Sequence, residues 1–116
     1  MDSLELVKIA VKALDSKLGN DITVLKVDTE TVIASYFVIC HGNSNTQVNA
    51  LASEVEYQLS LQGITPYGSE GYSSANWILL DYGDVIVHIF DEESRNFFKL
   101  EKLWSSAERI SFKESK

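Results

Sequence analysis

The chain lacks the features that several classes of protein require. A single cysteine among 116 residues cannot build a disulfide framework or a cysteine-rich zinc site. The mean hydropathy of −0.05 and the lack of a long apolar run exclude a membrane-spanning helix. Acids and lysines occur throughout residues 1–17, which does not fit a signal peptide. We therefore expect a protein of the reducing cytoplasm with no membrane partner.

The sequence nevertheless contains enough apolar residues for one core. Hydrophobic residues make up 45% and aromatic residues 10% of the chain, which excludes a disordered polypeptide. The length fits one domain, and one proline and six glycines leave no linker that would divide it. We expect a single domain over residues 1–110, followed by a short tail over residues 111–116.

Basic residues are scarce relative to acidic ones. Ten lysines and arginines stand against seventeen aspartates and glutamates, which gives a net charge of −7. Such a chain repels a phosphate backbone and attracts a basic protein, so we predict no direct nucleic-acid specificity. The charge is uneven, with a net −4 over residues 81–95 and a net +2 over residues 96–116. Such runs are typical of solvated surfaces and influence association more than fold.

Hydrophobic periodicity predicts eight elements in the order α-β-β-α-β-β-β-α. The first helix is expected at about residues 2–18. The second follows a capping box at 44–47 and ends near residue 63, and the third runs from 91 through 104. The strands are expected at 22–28, 33–40, 64–70, 75–81 and 84–90. This order predicts an α/β (α+β) fold, in which a mixed sheet of about five strands packs against helices.

The strongest β signal is a hairpin formed by residues 75–81 and 84–90, which flank a Tyr82-Gly83 loop. Because strand side chains alternate, Trp77 and Leu79 point to one face of the first strand, together with Asp81. Helices in so short a chain need not cover both faces of the sheet. We therefore expect Trp77 and Leu79 on an open binding face, beside Tyr82, Tyr72 and acidic groups. The alternative is that Trp77 belongs to the core.

A second function class, a metal-dependent phosphoryl or nucleotidyl transferase, rests on two features. Gly42-Asn43-Ser44 lies between a strand and a helix, where backbone N–H groups can bind an anion. Asp81 and Asp84 flank the hairpin turn, and His88 follows on the second strand, so the three could hold a metal. Against this, Ser44 fits a helix cap, turn aspartates usually bond their own backbone, and His88 fits a half-buried residue held by one carboxylate. The transferase requires the two aspartates to lie near the Ser44 helix end.

The hairpin also carries a specific pattern. Residues 77–90 follow W-x-L-x-D-x-G-D-V-x-V-H-x-F, and Arg95 and the run Leu100–Trp104 come after it. Upstream, matching residues include Asp21-Ile22, residues 36–39, Gly42-Asn43-Ser44, Gln47-Val48 and Glu70-Gly71. Over about residues 3–107 the chain resembles the ribosomal silencing factor S family, also called Iojap-like proteins.

The resemblance implies a translation repressor that is not an enzyme and uses no cofactor and no metal. It implies a nucleotidyltransferase-like core that lacks catalytic acids. Members bind a basic protein, number fourteen, at the intersubunit face of the large ribosomal subunit, and thereby block association with the small subunit. They also form homodimers, and organellar relatives act in large-subunit assembly.

We expect one group of partner-binding residues, based on the open hairpin face and on the resemblance. At its centre are Trp77, Leu79, Asp81 and Tyr82. Around them lie Tyr72, Glu70 and Asp84, although Asp84 and His88 could instead shape the hairpin.

Overall fold

The computed structural model describes residues 1–28, 31 and 33–111. These residues form a six-stranded mixed sheet with helices on both faces. The helices are α1 (Ser3–Ser16), α2 (Asn45–Ser60), α3 (Glu92–Phe98) and α4 (Leu100–Leu103). The strands are β1 (Asn20–Lys26), β2 (Tyr36–Gly42), β3 (Gly68–Glu70), β4 (Trp77–Asp81), β5 (Val85–Asp91) and β6 (Glu108–Ile110). The predicted α/β architecture with a mixed sheet is confirmed.

The sheet has the strand order β3-β4-β5-β2-β1-β6. Its central strands β2 and β5 are parallel, and every other neighbouring pair is antiparallel. Parallel neighbours are buried on both faces in most proteins, and β5 is indeed buried from Val85 through Phe90. The predicted edge strand is confirmed as β3, although only three residues of the segment pair.

Side chains cap the three longer helices. The carboxylate of Asp2 accepts from Glu5 N at 2.8 Å, and that of Asp91 accepts from Ser94 N at 2.7 Å. The hydroxyl of Ser44 accepts from Gln47 N at 3.1 Å, as the capping box predicts. The reciprocal bond differs by one residue, because the side-chain oxygen Oε1 of Gln47 accepts from the backbone N–H of Asn43 rather than from that of Ser44.

Two predicted boundaries near the C-terminus were wrong. The single helix over 91–104 is two helices, because Lys99 adopts a left-handed backbone with φ of 50° and interrupts the hydrogen-bond ladder. The sheet also contains a sixth strand, β6, which pairs with β1. It was not predicted, because its three residues show no alternation of apolar and polar side chains. Five residues of the predicted tail, 112–116, lie outside the described residues.

The predicted hairpin is present, but its loop is three residues long, Tyr82 to Asp84, rather than two. Gly83 has a φ of 85°, a conformation that glycine adopts at little cost. The first helix ends at Ser16 rather than near residue 18, and Leu4 and the following Leu18 are exposed, whereas Leu6 and Ala10 of α1 are buried. Among the described residues, no helix is both long enough and apolar enough to cross a membrane.

Candidate functional site

The two faces of the sheet are covered differently. Helices α1 and α2 pack on one face, where Ile78 and Leu80 of β4 have no exposed surface. On the other face Trp77 and Leu79 are only half-buried. The predicted alternation along β4 is therefore confirmed, and Trp77 lies on the less covered face rather than in the main core.

Two phenylalanines of α3 extend this less covered face. The Phe98 ring lies 4.7 Å from that of Trp77 and 5.1 Å from that of Phe97, between centroids. Phe97 is 78% exposed and Phe98 is 42% exposed. We call Trp77, Leu79, Phe97 and Phe98 the aromatic patch. Exposed aromatic side chains that lie together are typical of protein-binding surfaces.

A buried histidine holds the tryptophan of this patch. The indole N–H of Trp77 donates to His88 Nδ1 at 3.2 Å. Because an indole can only donate, the His88 ring is neutral and carries its proton on Nε2. Burial lowers the pKa of His88 to about 4, which agrees with a neutral ring. The prediction that a carboxylate holds His88 was wrong, because its Nδ1 bonds to Trp77 and the rings of Phe37, Trp77 and Phe90 pack around it.

Two of the three predicted carboxylates, Glu70 and Asp81, lie on this side of the sheet, whereas Asp84 lies in the β4–β5 loop and contacts α1 of the opposite face. Glu70 is exposed on β3 and is paired in register with Leu79, so both side chains point to the same side. Asp81 accepts from Gly83 N at 2.8 Å, and Asp84 accepts from the Ser3 hydroxyl at 3.2 Å. The bond to Gly83 supports the structural role expected of a turn aspartate. Glu93, which the sequence analysis did not select, lines a cleft with Trp77 and the two phenylalanines.

The two tyrosines expected beside Trp77 lie on the opposite face, so this expected juxtaposition was wrong. Tyr82 is buried under α2, and the Tyr72 hydroxyl donates to the Glu56 carboxylate of that helix. Burial, followed by the nearby Glu56 charge, raises the pKa of both hydroxyls. Both residues follow the ends of strands, where the backbone turns and the alternation that places strand side chains no longer applies.

The transferase arrangement requires groups that the fold keeps apart. Asp84 precedes the start of β5, which lies beside the start of the parallel strand β2, whereas Ser44 follows the end of β2. The two residues are therefore separated by the length of a seven-residue strand, about 20 Å. Within residues 1–28, 31 and 33–111, no three metal-ligating side chains form a group. Asp81 and Asp84 cannot act together with the Ser44 helix end.

A polar cluster fixes α3 and α4 against the sheet. The guanidinium of Arg95 is buried and donates to Asn20 O, Thr23 Oγ1 and His41 Nδ1 at 3.0–3.2 Å. It also pairs with the Glu101 carboxylate. Burial acts to raise the pKa of Glu101, but the hydrogen bonds and charge of Arg95 outweigh it and hold that pKa below its usual value. Arg95, part of the sequence pattern, therefore has a structural role.

Known proteins share this sequence and fold. A model of the family described as "Ribosomal silencing factor during starvation" matches residues 1–116. The chain belongs to the ribosomal silencing factor family. It is 43% identical over 107 residues to the ribosomal silencing factor RsfS of Bacillus subtilis, a match that covers 92% of this chain and 91% of that protein.

A solved structure and a more distant relative extend the comparison. A crystal structure of a protein from Chromobacterium violaceum superimposes with a TM-score of 0.88 at 36% identity, covering 97% of this chain and 93% of that one. The mouse protein named mitochondrial assembly of ribosomal large subunit protein 1 is 30% identical over 105 residues. That match covers 85% of this chain and 45% of the mouse protein.

The family membership agrees with the resemblance found in the sequence, and the structure adds residues to the site. Trp77 and Leu79 are brought together with Glu70, whereas Tyr72 and Tyr82 are not. Phe97 and Phe98 were missed as surface residues. The sequence feature that could have revealed them is a pair of adjacent aromatic residues in a short helix. Only one of two neighbouring helix residues can face the sheet, so the other must be exposed.

Proposed function

We propose that this ribosomal silencing factor binds the large ribosomal subunit through the aromatic patch, blocks association with the small subunit and so represses translation in the cytoplasm. One observation carries the proposal: Trp77 and Leu79 stay only partly buried on a strand whose alternate residues, Ile78 and Leu80, are completely buried. The large-subunit partner is supported by the name of the mouse relative. The unit that binds is the domain over residues 1–110.

The chemistry of the patch favours a basic protein as the direct partner, which the family resemblance identifies as large-subunit protein number fourteen. Exposed aromatic rings supply the buried anchors that dominate binding energy. Glu70 and Glu93 are exposed at its border, and Asp81 is partly exposed on the same side of the sheet. Carboxylates around an aromatic centre increase the association rate with a basic surface and exclude acidic ones.

Blocking follows from the size of the protein. The described residues extend about 33 Å in two directions and 31 Å in the third. A body of this size, bound to the surface where the two subunits meet, occupies space that the small subunit needs. Repression therefore requires no catalysis, and we propose that the protein is not an enzyme. The patch is also suited to a homodimer, since exposed aromatic side chains can pair with a second copy.

Co-sedimentation with separated ribosomal subunits tests this function. The expected result is binding to free large subunits and none to small ones, with an association rate that falls as salt screens the complementary charges. Isolated ribosomal protein fourteen should bind in the same way. Equal binding to both subunits, or binding to neither, would contradict the proposal.

A further inference from the structure

A basic cleft borders the same helix as the aromatic patch: Arg95 and Asn96 of α3 line this cleft, whereas Phe97 and Phe98 of α3 line the cleft at Trp77. The basic cleft is lined by Lys99 and Lys102 of the α3–α4 segment and by Arg109 of β6, around the buried Arg95. Two carboxylates, Asp21 and Glu101, also line it. The cleft thus carries four positive and two negative side chains, in a chain whose net charge is −7.

The two negative charges of the cleft both lie beside Arg95, Glu101 closely and the exposed Asp21 at 3.8 Å. Lys99, Lys102 and Arg109 form no ion pair with another described residue, and all three are exposed. Three exposed cations at one opening form a site for an anionic partner. Lys99 and Lys102 can pair with it without losing an internal ion pair, and Arg109 gives up only a longer-range attraction to Glu101.

The cleft faces the same side of the sheet as the aromatic patch. Arg109 is paired in register with Leu25, which packs with Leu100 of α4 on that side. Strand β6 is four positions from β4 in the sheet, which corresponds to about 19 Å. A standard interface buries about 800 Å² on each partner, roughly 28 Å across. One partner surface can therefore cover both sites.

We infer that Lys99, Lys102 and Arg109 bind the phosphate backbone of ribosomal RNA while the aromatic patch binds protein. The inference rests on the proposed function, since it assumes a large-subunit partner. A basic ribosomal protein would repel these three side chains, whereas the neighbouring RNA offers one negative charge per nucleotide. Phosphate contacts carry no base information, so they fix the orientation of the protein without giving it sequence specificity.

Two variants with equal charge changes test the cleft. The first replaces Lys99, Lys102 and Arg109 with glutamine. The control replaces Lys8, Lys12 and Lys17, exposed residues of α1 and its C-terminal end, with glutamine. Binding of each to purified large subunits is measured across a range of salt concentrations, and binding to isolated ribosomal protein fourteen is measured alongside. Thermal melts show whether either variant is misfolded.

The cleft variant should bind large subunits on the order of tenfold more weakly at low salt, and its salt slope should be smaller by about 2 to 3. Its binding to isolated ribosomal protein fourteen should stay within about twofold of the unmodified chain. The control should behave like the unmodified chain in both assays. A folded cleft variant with unchanged affinity and slope overturns the inference but leaves the proposed function intact. Failure of the unmodified chain to bind large subunits overturns both.

Crosslinking identifies what occupies the cleft. A photoreactive group is attached to Ser105→Cys at its opening, and to Gln62→Cys just past the end of α2 as the control. The native Cys40 is fully buried, and burial raises its pKa to about 12, so it should not be labelled. Crosslinks from residue 105 to ribosomal RNA support the inference. Crosslinks to protein alone would mean that an acidic protein surface occupies the cleft, which overturns the inference about RNA. Crosslinks no stronger than those of the control would show that nothing binds there.

Discussion

The two faces of strand β4 differ in how completely their side chains are buried. Ile78 and Leu80 are completely buried on the side of the sheet that α1 and α2 cover, within a large continuous core. Trp77 and Leu79 point the other way, into a smaller cluster on the side where the short helices α3 and α4 lie. Leu79 and Leu80 are adjacent, chemically identical side chains, so the contrast comes entirely from what covers them.

The means of attachment differ as well. Helices α1 and α2 are held mainly by apolar packing, whereas α3 and α4 combine a smaller apolar cluster with the hydrogen bonds of the Arg95 guanidinium to β1 and β2. Apolar packing maximises stability, because it removes the most hydrophobic surface from water. The sparsely covered face gives up part of that stabilisation and retains exposed aromatic rings that a partner can bury. Stability and binding are thus assigned to opposite faces of one sheet.

The largest expected difference between the faces is in folding stability. Leu80→Ala leaves a cavity in a fully enclosed site and should lower the free energy of unfolding by about 3–5 kcal/mol. Leu79→Ala removes a half-buried side chain and should cost about 1 kcal/mol. Urea unfolding of the two variants measures both values. Equal losses would show that both faces of β4 belong to one core.

Arg95→Met tests the polar attachment of α3 and α4. Methionine keeps most of the length of arginine but leaves the Glu101 carboxylate without its partner. The cost should be about 2–3 kcal/mol, below that of a fully buried pair because Glu101 retains some contact with water. The pKa of Glu101 should rise, which carboxyl NMR titration detects.

Arg95→Lys is the matched control, since it keeps the charge but loses the fork of donors. It should recover part of the lost stability. A fully stable Arg95→Met variant would mean that packing alone holds the two helices in place.

The effect of pH should be smaller and should arise mainly on the aromatic side. The pKa of His88 is lowered in the folded protein, so unfolding takes up a proton as the pH falls. His88 therefore contributes stability that is full above pH 6.5 and is lost as the pH falls from there toward about 4. His88→Phe should flatten the stability profile over this range. An unchanged profile would assign the pH dependence to His41 or to the carboxyl groups.

How much the sequence could predict depends on local periodicity. The side of the sheet to which Trp77 and Leu79 point follows from the alternation of strand side chains, and this alternation does not depend on what packs on the sheet. Strand β6 has three residues, two of them exposed, and no period marks so short an element. Tyr72 and Tyr82 lie outside the strands, where tertiary contacts alone decide which side of the sheet a side chain reaches. The left-handed Lys99 that divides α3 from α4 has no signal in the sequence either.

Light scattering of subunit mixtures tests most directly the claim that the sparsely covered face is the binding face. Trp77→Ala should lose the ability to block subunit association, because loss of an aromatic anchor costs about 2 kcal/mol or more of binding. Its melting temperature should fall by less than that of Leu80→Ala, since the ring is only partly buried. Tyr57→Ala, at an exposed aromatic residue of α2 outside the patch, should block association fully. A folded Trp77→Ala variant that still blocks association as well as the unmodified chain would contradict this account.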